Sequence, residues 1–176
     1  SEALVCMGTI TDDDGEIILP SYEWTVGSTI LGSSNTLTLS PSDVSPGDSV
    51  VCTVSATDMY GGSDSDTASV TIVNTDPVLS DVTITPDAGV NSLTLLTCSY
   101  SASDADGETP TEVYTWTNTT TGSTYSSTAS TLTLSPSDSN PNDVVECSVT
   151  VTDGNSGTDT LSDSVSVENT DPTFSA

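Results

Sequence analysis

Short runs of the chain alternate apolar and polar residues with period two. Val50, Cys52, Val54 and Ala56 share one parity, with Val51, Thr53 and Ser55 on the other. Val145, Cys147, Val149 and Val151 stand in the same way against Val144, Glu146, Ser148 and Thr150. Leu4, Cys6 and Ile10, then Tyr22, Trp24 and Val26, then Leu37 and Leu39, give shorter versions. Successive side chains of a strand point to opposite faces, so this is the pattern of strands buried on one side. Clusters of Gly, Pro, Asn, Asp and Ser separate the runs, and no stretch sustains a helical period. The pattern predicts an all-β chain of short strands folded as a sandwich.

The pattern occurs twice. Cys6, Trp24, Cys52, Asp58 and the Asn-Thr-Asp-Pro at 74–77 recur as Cys98, Trp116, Cys147, Asp153 and the same tetrapeptide at 169–172. The segment TLTLSPSD at 36–43 returns letter for letter at 131–138. The offset is 92 from Cys6 to Cys98 and 95 from Cys52 to Cys147, which places a three-residue insertion near NTTTGSTY in the second copy. Two homologous domains follow, 1–77 and 78–176. Both cysteines of each copy carry inward parity. Of the three pairings that four cysteines allow, only Cys6–Cys52 with Cys98–Cys147 gives two equivalent cores. Each bridge closes nearly fifty residues, about 4 kcal/mol in the chain-entropy account. The second copy has room for a first strand over Ser80 to Pro86; the first copy begins at SEALVC without one, and the chain ends partway into another. The expectation is either a window on a longer repeat chain or a subunit whose tail completes its neighbour by strand addition.

The Cys, Trp, Cys order resembles the immunoglobulin superfamily, which implies cysteines on strands B and F and tryptophan on strand C. It departs from that family in having Val50 and Val145 where a tyrosine-corner residue would stand two places before the second cysteine. The stretches SASDADGETPTEVYTW and VENTDPTF resemble cadherin repeats. Together the two copies are most similar to the tandem Ig-like, PKD-like and cadherin-like repeats of bacterial and archaeal surface proteins.

Charge narrows the function further. The chain holds 26 acidic residues and no Lys, Arg or His, a formal charge of -26 at pH 7. Phosphate neutralisation needs Lys or Arg, so nucleic acid is excluded as a partner, and anionic membrane surfaces are disfavoured. No apolar run reaches the eighteen residues a membrane span needs, and no signal peptide is recognised, as expected of a mature, processed product. An even cysteine count without histidine suits disulfides rather than zinc, hence an extracellular or cell-surface location. Self-repulsion must be relieved by solvent cations or bound metal. Adaptation to high salt is an alternative source of the acid excess.

TDDDGE at 11–16 and SDADGE at 103–108 occupy corresponding loops. In an immunoglobulin-like sandwich the B–C and F–G loops lie where the preceding linker enters, so Asn74, Asp76, Asp104, Asp106 and Asp153 are expected to converge at the domain junction. Calcium takes six to eight oxygen ligands, and the cadherin resemblance implies that it stiffens the junction here. Asp12, Asp14 and Asp58 form the corresponding half-site on the first domain, and Asn169 and Asp171 its complement on the tail. A head-to-tail contact between subunits would repeat the junction and propagate into an open fibre. Asp-x-Asp-Gly also closes tight turns without any metal, and both readings stand at this point.

Ser and Thr make up roughly a third of the residues. They suit exposed polar faces, or O-linked sugar with 115–129 as the best tract; Asn118-Thr119-Thr120 is the one N-glycosylation sequon. Without His or Lys, and with the cysteines in bridges, the usual activated nucleophiles cannot be assembled, so the chain reads as a non-enzyme. The reading is a structural repeat unit of an extracellular filament, stalk or surface fibre that partners itself head to tail, as a homopolymer or a longer repeat chain, with glycans as further partners. The alternative is a carbohydrate- or protein-binding adhesin module, for which Tyr22, Trp24, Tyr114 and Trp116 are candidate platforms; their parity assigns them to the core.

Overall fold

A computed structural model describes residues 3–174. Two compact units divide between Asn74 and Thr75, inside the first Asn-Thr-Asp-Pro. All the regular structure among the described residues is strand and all the strand pairing is antiparallel, as the period-two pattern predicts. No helix is long and apolar enough to cross a membrane.

The first unit holds β1 (Ala3–Val5), β2 (Ser21–Val26), β3 (Thr29–Gly32), β4 (Thr36–Thr38), β5 (Ser49–Thr57) and β6 (Ser63–Thr71). They form a two-stranded sheet β1-β4 and a four-stranded sheet β3-β2-β5-β6. Cys6, just past β1, is bonded to Cys52 on β5 and staples one sheet to the other. Trp24 on β2 lies against the bridge in the core, and its indole N–H donates to the Ser34 carbonyl at 2.8 Å.

The second unit holds β7 (Val78–Thr85), β8 (Leu95–Ser103), β9 (Thr111–Asn118), β10 (Ser123–Thr124), β11 (Thr131–Thr133), β12 (Val144–Thr152) and β13 (Thr158–Ser166). The sheets are β11-β8-β7 and β10-β9-β12-β13, stapled by Cys98–Cys147. Trp116 on β9 is fully buried, its indole N–H on the Ala129 carbonyl at 2.9 Å. The predicted first strand is β7, beginning two residues earlier than its pattern indicates. A register irregularity between Leu79 and Asp81 resets the alternation and hides the true start.

The two copies differ in what they bury. The second unit's core gathers fifteen buried apolar residues, including Leu79, Val82 and Ile84 from β7. The first unit's gathers four: Cys6, Trp24, Val50 and Cys52. Matched positions show the cause. Val165 on β13 is 5% exposed, whereas its counterpart Val70 on β6 is 41% exposed. Among the described residues nothing in the first unit corresponds to β7. In the second unit β7 is held along one edge by the β8 ladder. Across the gap to the other sheet, Asp159 Oδ2 accepts the Leu79 N–H and Asp163 Oδ2 accepts the Ile84 N–H, each at 2.8 Å. Burying three apolar side chains is worth roughly 1.5–3 kcal/mol each, so this one strand accounts for much of the difference between the cores.

Candidate metal centre in the acid loops

In the second unit two loops at one end of the sandwich bring carboxylates together. After β8 the chain turns at Asp104–Gly107. Asp104 Oδ1 accepts the Asp106 N–H at 2.7 Å, its carbonyl accepts the Gly107 N–H at 3.3 Å, and Gly107 takes the positive φ of 79° that closes the turn. Between β12 and β13, Asp153 Oδ1 accepts the N–H groups of Asn155 at 2.8 Å and Gly157 at 2.7 Å. These backbone bonds fix both aspartates by one oxygen each. Asp104, Glu108 and Asp153 then each offer an oxygen within 4.8 Å of the others. Asp153 is only 7% exposed, and Asp104 Oδ2 is buried with no hydrogen-bond partner. The Asn155 amide donates to both Glu108 oxygens, at 3.1 and 3.2 Å, and sets that side chain over the group. Gly157 must be glycine, since a Cβ there would run into Asp153 Oδ2 and Asp76 Oδ1. Asp76 therefore belongs to the same loop cluster.

The first unit repeats the arrangement. Asp12 Oδ1 accepts the Asp14 N–H at 2.8 Å and Gly15 takes the same φ of 79°. Asp58 Oδ1 accepts the N–H groups of Tyr60 and Gly62, both at 2.8 Å. Asp12, Glu16 and Asp58 each place an oxygen within 4.8 Å of the others. Burial first, then the Asp12 and Asp58 charges, raise the Glu16 pKa above its ordinary 4.5. Desolvation and crowding by like charges both disfavour the ionised form.

Not every expected ligand joins these groups. Asp106 turns its Oδ2 to the Thr75 N–H at 2.6 Å, tying the segment before β7 to the acid turn. Asp14 contributes its backbone N–H to the first-unit turn, and the three-carboxylate group there is Asp12, Glu16 and Asp58. Asn74 is the half-buried last residue of the first unit. Asn169 and Asp171 are exposed beyond β13, whose nine residues put them roughly 26 Å of strand away from the Asp153 loop. Glu16 and Glu108 are members of the two carboxylate groups that the sequence reading did not name. Their signal was present, because each closes its acid hexapeptide at the fourth position after the first aspartate.

The sequon is corrected by its surroundings. Asn118 is fully buried, with Nδ2 donating to Asp143 Oδ2 at 2.8 Å and to the Asp138 carbonyl at 3.2 Å, while Oδ1 accepts the Thr121 N–H. A sugar on Nδ2 would displace these bonds in a space that has no room for it. The tryptophans are interior and Tyr22 and Tyr114 pack against the two cores, so none forms an open platform.

The strand order of the second unit, A-B-E against G-F-C-C′, with cysteines on B and F and tryptophan on C, decides the architecture. Both units are immunoglobulin-like sandwiches. No family model matches the chain, and no curated protein matches it in sequence. A structure of the amphioxus IgVJ-C2 molecule is similar over 94% of this chain and 96% of that one, at 16% identity and a TM-score of 0.45. The immunoglobulin-like assignment therefore rests on strand order and bridges. A disulfide-stapled pair of such sandwiches is a structural or binding module, and two internal disulfides accord with an oxidising, extracellular setting.

Proposed function

We propose that the chain is a structural repeat unit of an extracellular filament, stalk or surface fibre, joined to its own kind head to tail and stiffened by calcium in the acid loops. The observation that carries this reading is the repeated three-carboxylate group with the buried, unpartnered Asp104 Oδ2. A buried polar oxygen without a partner is costly, and a hard cation would satisfy it together with two more carboxylates. The donor set is all oxygen, which favours calcium over softer metals. Asp104, Glu108 and Asp153, with Asp76 beside them, would hold the ion in the second unit; Asp12, Glu16 and Asp58 would hold it in the first. Bound calcium supplies positive charge that cancels local repulsion and ties the β8–β9 loop to the β12–β13 loop.

Calcium titration of the full chain, followed by melting and by electron microscopy, tests the proposal. Extracellular calcium modules bind at about 10⁻⁴–10⁻³ M. At a hundred times a Kd of about 10⁻⁴ M, linkage adds about 2.7 kcal/mol, or roughly 10–20 °C for a domain of this size. Glu108→Gln should remove most of the second unit's gain. A melt indifferent to 10 mM calcium (about that hundredfold excess) would overturn the metal role, and a chain that stays monomeric at every concentration would overturn the filament.

A further inference from the structure

The acid loops of the first unit display large apolar side chains where those of the second display polar residues or glycine. Ile17 and Leu19, between β1 and β2, are 93% and 81% exposed, and Met59 and Tyr60, between β5 and β6, are 79% and 81% exposed. Each pair directly follows a carboxylate of the Asp12, Glu16 and Asp58 group, whose oxygens lie within 4.8 Å of one another, so both pairs stand on one loop cluster. The matching positions in the second unit are Thr109, Thr111, Gly154 and Asn155, and all four are exposed as well. There the segment from Thr75 leads into the sandwich, tied to Asp106, and still leaves these positions open. Exposure is therefore a property of the loops, and what distinguishes the first unit is the chemistry it places on them.

Local folding does not call for these side chains. The β5–β6 turn closes on backbone groups, with the Tyr60 N–H on Asp58 Oδ1 at 2.8 Å, and the second unit closes the same turn with the Asn155 N–H on Asp153 Oδ1 at 2.8 Å. Between β1 and β2 burial alternates: Glu16, Ile18 and Pro20 are half-buried while Ile17 and Leu19 face out. The inward positions of that segment are thus filled without them. Aromatic residues make up 5% of the chain and it holds two methionines, so a tyrosine and a methionine left bare beside two aliphatic side chains mark a contact surface. Both residue types are enriched at protein interfaces.

Charge selects the partner. Asp12, Asp13, Asp14, Glu16 and Asp58 share these loops with the four apolar residues. Tyr60 has no amide to place on Glu16 as Asn155 places one on Glu108. Such a surface repels anionic lipid. A second copy is no better complement, because the chain has no Lys, Arg or His to offer. A different protein, presenting a basic side chain among apolar ones, complements both features.

We infer that the loop tips of the first unit are a docking surface for a different protein, whose Lys or Arg reaches the carboxylates while its apolar side chains cover Ile17, Leu19, Met59 and Tyr60. This goes beyond the filament reading and does not rest on calcium. An ion in the carboxylate group would take the place of the partner's cation, so the contact is measured with chelator present.

The test uses the full chain. Random dodecapeptides displayed on phage are selected against it, and the enriched peptides are synthesised and titrated by fluorescence anisotropy. The comparison variant carries Ile17→Thr, Leu19→Thr, Met59→Gly and Tyr60→Asn together. These are the residues with which the second unit builds the same loops, so folding is retained, and an unmoved Trp24 resonance in fluorotryptophan-labelled protein verifies it. Enriched peptides are expected to combine Lys or Arg with aliphatic or aromatic residues and to bind the variant about tenfold more weakly. Replacing their basic residue with norleucine should weaken binding to the native chain by a similar factor. No enrichment, peptides that bind native chain and variant alike, or enriched peptides without a basic residue would each overturn the inference. Phosphatidylcholine vesicles and analytical ultracentrifugation supply the second arm. Vesicle binding that the variant loses would put a bilayer in the partner's place, self-association that the variant loses would put a second copy there, and either result refutes the inference. A melt indifferent to calcium sinks the metal reading and leaves every arm of this test intact.

Discussion

Removing the Asn118 side chain should cost the second unit far more than a surface change. Asn118→Ala deletes a hydrogen bond to the Asp143 carboxylate at 2.8 Å and two longer ones, to the Asp138 carbonyl and from the Thr121 N–H, both at 3.2 Å. A bond to a charged group is worth about 1.5–3 kcal/mol and a neutral one about 0.5–1.5. The expected loss at pH 7 is therefore about 3–5 kcal/mol, a large share of the 5–15 kcal/mol typical of a domain. With an m-value of about 2 kcal/mol/M, the urea midpoint should fall by roughly 2 M. The chain has two tryptophans, one per unit, so ¹⁹F NMR of fluorotryptophan-labelled protein reads the second unit through Trp116 alone. pH supplies a second check. The Asn140 N–H first, then the Asn118 amide, hold the Asp143 carboxyl below its ordinary 3.8. A carboxylate held low stabilises above its ordinary pKa and loses that contribution as pH falls through the folded value. The gap between native and variant should thus be full at pH 7 and narrow as pH falls through and below the usual carboxylate range. A loss under about 1 kcal/mol at pH 7, or a gap that widens on acidification, would refute the reasoning.

Two further outcomes follow from the same structure. Replacing Cys98 and Cys147 together by alanine should destabilise the second unit by about 4 kcal/mol, read as a lower urea midpoint for the Trp116 resonance with the Trp24 resonance unmoved. Asp163→Ala should cost the second unit about 1.5–3 kcal/mol by orphaning the buried Ile84 N–H, measurable as faster hydrogen exchange along β7; exchange at native rates there would show that the carboxylate is not needed.

Much of this molecule was legible in its letters. Val145, Cys147, Val149 and Val151 are all fully buried on β12, as their spacing requires, and both cysteine pairs follow from parity within the repeat. Period two and repetition are strong signals because one misplaced residue would invert a whole face. Other features depend on the third dimension. Asn118 looks like a surface sequon because its local letters are polar, yet the Asp138–Asp143 segment folds over it. Glu108 lies beside Asp104 and Asp153, where Asn155, 47 residues later, bonds its carboxylate, and no local pattern shows that contact. Likewise, the alternation of β5 predicts equal burial in both copies. Val54 is half-buried where Val149 is fully buried, since among the described residues only the second unit has a strand in the place of β7, and no local pattern encodes that neighbour.

The two aspartate bonds that reach β7 from β13 also bear on pulling. β7 and β13 run in the same direction, since Leu79 meets Asp159 and Ile84 meets Asp163. The polypeptide thus enters the second sandwich at one end and leaves it at the other. Tension along the chain would draw the two strands past each other instead of peeling one away, so the β8 ladder and both carboxylate ties must give way together. Rupture in that geometry is abrupt and takes a high force, and Asp163→Ala would lower that force even with β7 still in place.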